Sequence, residues 1–361
     1  MGALSELSQA GVSIWLDDLS RDRLQSGSLK QLIDSSSVVG VTTNPSIFGA
    51  AISGSTLYRE DILALKAKGK NTAEIVTELT TSDVRAACDL FTPIFQATNG
   101  VDGRISIEVD PDLAYDTAGT VKRGLELSAI VNRPNLLMKV PATLEGLPAI
   151  EELTAAGISV NVTLIFSVER YTMVMESYLR GLERRLAKNE SISEIHSVAS
   201  FFISRIDAEI DKQLDLRAPG SVVRGKAAIA NARVAYEAFL TFIASDRWQS
   251  VASNGANLQR PLWASTGVKD KAYDATRYVI ELIAAHCVNT MPEGTLNAVR
   301  DHGVVRGDTI TTNIPAAHLD LADLAKAGID LGAIVKHLED DGVAKFQKAW
   351  DELLANVEAL I

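Results

Sequence analysis

The stretch from Ile158 to Phe166 reads Ile-Ser-Val-Asn-Val-Thr-Leu-Ile-Phe and discriminates between two fold classes. Its alternation predicts a strand with one apolar face, while the other face carries Ser159, Asn161, Thr163 and Ile165. A strand buried on both faces of a doubly wound open sheet would be apolar nearly throughout. One apolar and one polar face are typical of a barrel whose interior becomes polar towards a catalytic mouth. The stretch therefore favours a barrel.

Similar runs recur along the chain, with helical patterns such as Ser167–Ala187 and Ala227–Ala244 between them. Eight strands that alternate with helices predict βα units, and eight parallel strands close a barrel. We therefore predict an α/β fold, a single (β/α)8 TIM barrel that forms one domain over residues 1–361, with its core at about 12–290. Extra helices are expected at both termini, including residues 316–361. The predicted strands are Val12–Asp17, Val38–Thr42, Arg104–Val109, Leu136–Val140, Ile158–Phe166, Ser197–Ile203, Pro261–Ser265 and His286–Thr290.

Composition and charge exclude several classes of function. The 361 residues are 47% hydrophobic and 22% charged, with a net charge of −11, so a packed core is expected and disorder is not. An acidic chain disfavours nucleic-acid and anionic-membrane partners, although a small anionic substrate needs only one or two local cations. Two cysteines do not form a disulfide framework. With no signal-like start and no apolar run of about 20 residues, the sequence predicts a soluble cytoplasmic protein.

Lys139 is the most informative residue, because it interrupts the apolar strand Asn135-Leu-Leu-Met-Lys-Val-Pro141. Lysine is rarely buried without a partner, so one interpretation places it at a strand edge with its amine in water. The other is functional. Burial disfavours the charged form of an amine, and a neutral lysine amine attacks carbonyl carbons to form Schiff bases.

Two turns that follow predicted strands carry further candidates. Asp17 and Asp18 either cap a helix or include a general acid/base, which is the role we consider for Asp17. A Mg²⁺ site built from the pair is disfavoured, because no other acidic cluster accompanies it. Asn44 precedes Pro45 and is therefore expected to be extended, either in an ordinary βα turn or as a ligand for substrate hydroxyls.

Polar residues on strand interiors complete the candidate set. Glu108 lies between Ile107 and Val109. It is either one partner of a buried ion pair or a catalytic carboxylate. Thr163 and Asn161 are open to the same two interpretations, as satisfied core residues or site residues. The histidines are scattered, and neither a phosphate-binding loop nor a Gly-x-Gly-x-x-Gly motif is present. The sequence therefore predicts neither a metal nor a nucleotide cofactor.

Taken together, these motifs resemble the transaldolase family, and in particular its longer, actinobacterial-type branch. The resemblance covers about residues 12–290 in family order. It implies a (β/α)8 barrel that is circularly permuted relative to other class I aldolases, with the Schiff-base lysine, here Lys139, on strand 4. The matching segments are Trp15-Leu-Asp-Asp18, Gly40-Val-Thr-Thr-Asn-Pro-Ser46, Gly103-Arg-Ile-Ser-Ile-Glu-Val-Asp110, Leu137-Met-Lys-Val-Pro-Ala-Thr143, Gly157-Ile-Ser-Val-Asn-Val-Thr-Leu-Ile-Phe-Ser167, Ala199-Ser-Phe-Phe-Ile-Ser-Arg205 and Trp263-Ala-Ser-Thr-Gly-Val-Lys269.

The resemblance implies transfer of a dihydroxyacetone unit between sugar phosphates in the non-oxidative pentose phosphate pathway. Sedoheptulose 7-phosphate and glyceraldehyde 3-phosphate would give erythrose 4-phosphate and fructose 6-phosphate. Lys139 would form the Schiff base, and Asp17 would move the proton of the carbon-4 hydroxyl. Glu108 and Thr163 would hold a water that shuttles protons. The implied ligands of the fragment's hydroxyls are Asn44, Asn161 and Ser200.

The resemblance is less complete at the phosphate site. Arg205 matches a phosphate-binding arginine, but the second arginine of the better-known branch is missing. We assign Ser265 and Lys269 as its replacements, since lysine binds phosphate as a point charge. We also expect backbone amides at the start of the helix after strand 7 to contribute.

Two alternatives to a transaldolase are considered. A fructose-6-phosphate aldolase would release dihydroxyacetone, but those relatives are shorter and usually carry glutamine and tyrosine at the positions of Glu108 and Phe202. A non-catalytic sugar-phosphate-binding barrel is the other alternative, and the intact set of mechanistic positions disfavours it. We expect a monomer or a homodimer, and Phe202 is included among the substrate-binding residues.

Overall fold

The computed structural model describes residues 2–361 and contains a closed barrel of eight parallel strands, each paired with the next in chain order and the last with the first. This confirms the (β/α)8 prediction, and every predicted strand is present to within two residues at each end. The strands are β1 (Val12–Leu16), β2 (Val38–Val41), β3 (Arg104–Glu108), β4 (Leu136–Pro141), β5 (Val160–Ile165), β6 (Ser197–Phe202), β7 (Gln259–Ala264) and β8 (Cys287–Met291).

Helices surround the barrel, and local sequence sets where they begin. The Ser167 side chain accepts a hydrogen bond from the Arg170 amide and so caps α9, which begins one residue later than predicted. The helices are α1 (Ala3–Gln9), α2 (Arg21–Ser26), α3 (Ser28–Ser36), α4 (Pro45–Gly54), α5 (Arg59–Ala67), α6 (Thr72–Ala97), α7 (Thr117–Val131), α8 (Gly146–Ala155), α9 (Val168–Ala187), α10 (Ser204–Arg217), α11 (Ala227–Ile243), α12 (Asp246–Ala252), α13 (Arg277–Ile280), α14 (Glu293–His302), α15 (Ile314–Lys326) and α16 (Leu331–Glu358).

Side chains that point into the barrel are stacked in layers. Strand register aligns Glu108 with Lys139 and Lys139 with Asn161, so three neighbouring strands bring these side chains to one level. Below them, the Trp15 ring fills the interior because Gly40 has no side chain. A Cβ at position 40 would lie 2.5 Å from the indole. The glycine of the Gly40–Ser46 motif is therefore required by packing.

Strand β5 departs from the predicted alternation at its carboxyl end. Leu164 was expected on the outer, helix-packed face, but its φ is +60° and its pairing with β6 shifts register there. A bulge of this kind rotates the following side chains. Leu164 consequently packs near Gly342 of α16, and Phe166 forms a ring contact with Phe202 at 5.2 Å between centroids.

Two other segments bear on the site. The expected helix after β7 is α13, which has only four residues and is separated from the strand by a loop over residues 265–276. The predicted carboxy-terminal helices are present as α15 and α16, and α16 packs against α4, α6, α10 and β5. Within residues 2–361, no single helix is long and apolar enough to cross a membrane, and the bent pair α11 and α12 qualifies by length and composition only.

Candidate active site

Lys139 lies inside the barrel, near the carboxyl end of β4. Its side chain is 5% exposed, so the alternative of a strand-edge amine in water does not apply. The Nζ atom donates to the Thr43 carbonyl oxygen at 3.0 Å and to Glu108 Oε2 at 3.4 Å. The Phe346 ring of α16 lies 5.6 Å from Nζ. The amine is thus held by one carbonyl and one carboxylate, beneath an aromatic ring.

Glu108 forms the buried ion pair that the sequence left open, and its partner is Lys139 itself. Burial raises the pKa of Glu108 to about 7, although the nearby lysine opposes the shift. Its second oxygen, Oε1, is buried and has no hydrogen-bond partner within residues 2–361. The same is true of Thr163 Oγ1 on β5. Both atoms therefore retain capacity to bind a polar group.

Asp17 follows β1 and is not the helix cap, because Ser20 caps α2 by accepting from the Arg23 amide. Thr42 donates to Asp17 Oδ1 at 2.6 Å, and the Thr42 hydroxyl also lies 2.6 Å from that of Thr290. Burial raises the pKa of Asp17, while Lys139 and Thr42 lower it. The carboxyl group is thereby oriented by its neighbours and remains available for proton transfer.

The three candidate ligands of substrate hydroxyls lie in two layers along the barrel axis. Asn44 and Ser200 border the cavity above Lys139. Asn44 also caps α4, since its side chain accepts from the Ile47 amide and its backbone is extended as expected before Pro45. Asn161 is fully buried one level below, where it donates to Ser106 at 2.9 Å and accepts from Ser200 at 2.7 Å. The structure therefore gives Asn161 protein partners and aligns Ser200 through it.

A cavity of about 250 Å³ opens above Lys139 at the carboxyl end of the barrel. It collects the predicted site residues except Glu108 and Asn161, which lie beside and beneath it. The predicted residues that line it are Asp17, Asn44, Lys139, Thr163, Ser200, Phe202, Arg205, Ser265 and Lys269.

The expected phosphate-binding residues lie together at the rim of this cavity. The Arg205 guanidinium stacks 5.2 Å from the centroid of Phe202, and its buried Nη1 atom has no hydrogen-bond partner in the described chain. Burial lowers the pKa of Arg205, and the nearby carboxylates of Asp341 and Asp17 partly offset this decrease. Lys269 lines the same cavity and is exposed, and the Ser265 hydroxyl lies 3.0 Å from that of Ser204.

Sequence reasoning missed Phe346, which also lines the cavity. Phe346 lies in the segment 316–361, for which the sequence predicts helices, and helical spacing does not indicate what the apolar face of such a helix covers. Thr42 and Thr290 were missed as well, although Thr42 lies only two residues before Asn44 in the quoted motif. No group of three or more His, Cys, Asp or Glu side chains within residues 2–361 is arranged to hold a metal ion.

Comparison with known proteins agrees with this geometry. The family model described as Transaldolase/Fructose-6-phosphate aldolase matches residues 14–357. "Transaldolase 1" of Streptomyces coelicolor is 55% identical over 99% of this chain and 94% of its own length. "Transaldolase" of Mycolicibacterium smegmatis is 54% identical over 97% and 95%, and that of Mycobacterium tuberculosis is 54% identical over 99% and 96%. The chain therefore belongs to the transaldolase/fructose-6-phosphate aldolase family.

Proposed function

We propose that this enzyme is a transaldolase that transfers a dihydroxyacetone unit from a ketose phosphate to an aldose phosphate through a Schiff base on Lys139. The observation that carries the proposal is the position of Lys139. Its amine is buried, is in contact with Glu108 and borders the cavity at the end of the barrel where (β/α)8 enzymes place their active sites.

Schiff-base formation requires protons to enter and leave near the amine. The amine attacks the ketone carbon to give a carbinolamine, whose hydroxyl leaves as water once it is protonated. Glu108 has a pKa of about 7 and can donate and accept protons near neutral pH. Its free Oε1 and the free Thr163 hydroxyl support a bridging water in this step.

Carbon–carbon cleavage requires a base on the other side of the cavity. Asp17 would take the proton from the carbon-4 hydroxyl, so that the C3–C4 bond breaks and its electrons pass into the imine. The aldose leaves, the three-carbon fragment stays on Lys139, and condensation with an acceptor reverses the steps. The Thr42 hydrogen bond orients Asp17 for both directions.

The remaining residues would orient the sugar phosphate. Asn44 and Ser200 are placed to bind hydroxyls of the fragment, with Asn161 aligning Ser200. Arg205, Ser265 and Lys269 would hold the phosphate. This assignment implies a role in the non-oxidative pentose phosphate pathway, and with it a cytoplasmic location.

Borohydride trapping tests the proposal. Fructose 6-phosphate and borohydride should attach a three-carbon label to the peptide that contains Lys139, and Lys139→Ala should abolish both label and turnover. Lys122→Ala, at an exposed lysine on α7, is the control and should be labelled normally. Label on another lysine, or active enzyme without label, would contradict the Schiff-base assignment.

An assay of the same enzyme with and without an acceptor aldose distinguishes a transferase from an aldolase. Glutamate at position 108 and phenylalanine at 202 favour transfer, so product should depend on an added acceptor aldose. Free dihydroxyacetone formed at a comparable rate without acceptor would support a fructose-6-phosphate aldolase instead.

A further inference from the structure

A second cavity lies at the opposite, amino-terminal end of the barrel. Its volume is about 290 Å³, and residues at the starts of β3, β4, β6 and β7 border it. We call it the floor cavity. Its polar lining is dominated by cationic and imidazole side chains, namely Arg104, His196, Arg260 and His286.

The two arginines of the floor cavity differ in how their charges are balanced. Arg260 pairs with Asp102 at 2.9 Å and also donates to Ser13 at 2.8 Å. Arg104 is 1% exposed and donates only to carbonyl oxygens, those of Gly100 at 2.6 Å and Pro134 at 3.2 Å. No carboxylate within residues 2–361 forms an ion pair with Arg104, and its buried Nη2 has no hydrogen-bond partner there.

An uncompensated buried guanidinium is costly, because its charge loses water without gaining a counter-charge. Burial and the neighbouring Arg260 lower the pKa of Arg104 to about 10, so it remains charged near neutral pH. Burial and the two arginines lower the pKa of His196 to about 3, so its ring is neutral. Arg260 therefore has Asp102 as its ion-pair partner, whereas Arg104 has none in direct contact, and Asp102 and Glu194 act on Arg104 only from a distance.

The free donor of Arg104 lies near the His196 ring. A Cβ built on Gly100 would be 3.2 Å from Arg104 Nη2 and 3.0 Å from His196 Nε2, so the two nitrogens border one small space. A guanidinium N–H and the imidazole, in the tautomer that carries its proton on Nε2, match the acceptor oxygens of a phosphate group together with the second guanidinium. A carboxylate has only two oxygens, whereas three side chains here offer donors, as many as a phosphate monoester has terminal oxygens.

We propose that the floor cavity is a second anion site, which binds a small phosphate-class anion through Arg104, His196 and Arg260. The ligand is either inorganic phosphate or a small phosphate monoester, and a cavity of about 290 Å³ can hold both. Its binding would supply the missing counter-charge and stabilise the barrel end that faces away from the catalytic cavity.

Calorimetric titration with inorganic phosphate tests the proposal. Arg205→Ala removes a phosphate contact of the catalytic cavity and should still bind phosphate in the floor cavity. In that background Arg104→Met should weaken this binding about 10- to 150-fold, as expected for one charge-assisted contact. Arg133→Met is the matched control, because Arg133 precedes β4 at the same end but already pairs with Asp89. It should leave the affinity unchanged.

A second variant keeps the test decisive if Arg104→Met fails to fold. His196→Leu removes the imidazole donor and keeps both arginines, so it should also weaken binding. Glycerol phosphate, titrated in parallel, identifies the source of the anion by its affinity relative to inorganic phosphate. Loss of all phosphate binding in Arg205→Ala, or binding there that neither Arg104→Met nor His196→Leu weakens, would overturn the proposal.

Discussion

The buried Glu108–Lys139 pair makes protein stability depend on pH in a direction that the structure determines. Burial raises the pKa of Glu108 from 4.5 to about 7, so the native state holds a proton that the unfolded chain releases between these values. The free energy of unfolding should therefore fall as pH rises through this window.

Replacement of the titrating group isolates this contribution. As pH increases from about 5 to about 8, Glu108→Gln should become more stable relative to the wild-type enzyme, by up to ~3 kcal/mol. Urea unfolding of both proteins at the two pH values measures the difference between their free energies of unfolding. The contributions of other titrating groups cancel in this difference. A difference that does not change with pH would mean that Glu108 is not protonated in the folded enzyme near neutrality.

Asp17 and Asp18 are adjacent but have different environments, which makes them a matched pair. Asp17→Asn should slow carbon–carbon cleavage by about 10²–10⁴-fold, the usual contribution of a general acid/base, while label is still trapped on Lys139. Asp18 forms an ion pair with Arg23 at 2.6 Å and does not line the cavity, so Asp18→Asn should cleave normally. Rapid-quench measurement of aldose release compares the two. Equal rates would remove Asp17 from the mechanism.

At the scale of elements, the barrel was predictable because each strand carries its own alternation. The layer of polar side chains inside the barrel was predictable for the same reason, since the alternation on neighbouring strands points Glu108, Lys139 and Asn161 inward. The bulge at Leu164 was not, because its positive φ accompanies packing against Gly342, far away in sequence. The position of Phe346 over the cavity was not predictable for a similar reason. Periodicity identifies the apolar face of a helix but not the surface against which that face packs.

Helix α16 closes one side of the catalytic cavity through Phe346, which is 6% exposed. Phe346→Ala should admit water to the Schiff base and raise the ratio of dihydroxyacetone released to dihydroxyacetone transferred. It should also cost about 3–5 kcal/mol of stability. Val357→Ala, at a fully buried position on the same helix that does not line the cavity, is the control for lost packing. An unchanged product ratio in Phe346→Ala would show that α16 does not restrict water.

At the scale of the whole molecule, the proposed function requires a chain of net charge −11 to bind an anionic substrate. Long-range attraction from such a surface is unfavourable, so binding depends on cations close to the phosphate. Arg205 and Lys269 border the same cavity but differ in surroundings. Arg205 is packed on Phe202 with a free buried Nη1, whereas Lys269 is exposed to water and screened by salt.

These surroundings predict unequal effects on phosphorylated substrates. Arg205→Ala should lower kcat/KM for fructose 6-phosphate by about 10- to 150-fold, as for a charge-assisted contact in a water-poor site. Lys269→Ala should lower it only about 2- to 5-fold, the range of an exposed ion pair, and high salt should erase that loss. With unphosphorylated dihydroxyacetone as donor and unphosphorylated glyceraldehyde as acceptor, both variants should match the wild-type enzyme, because the lost contact concerns the phosphate alone. If Lys269→Ala leaves kcat/KM unchanged even at low salt, Lys269 does not replace the missing second arginine, and Arg205 with Ser265 must hold the phosphate.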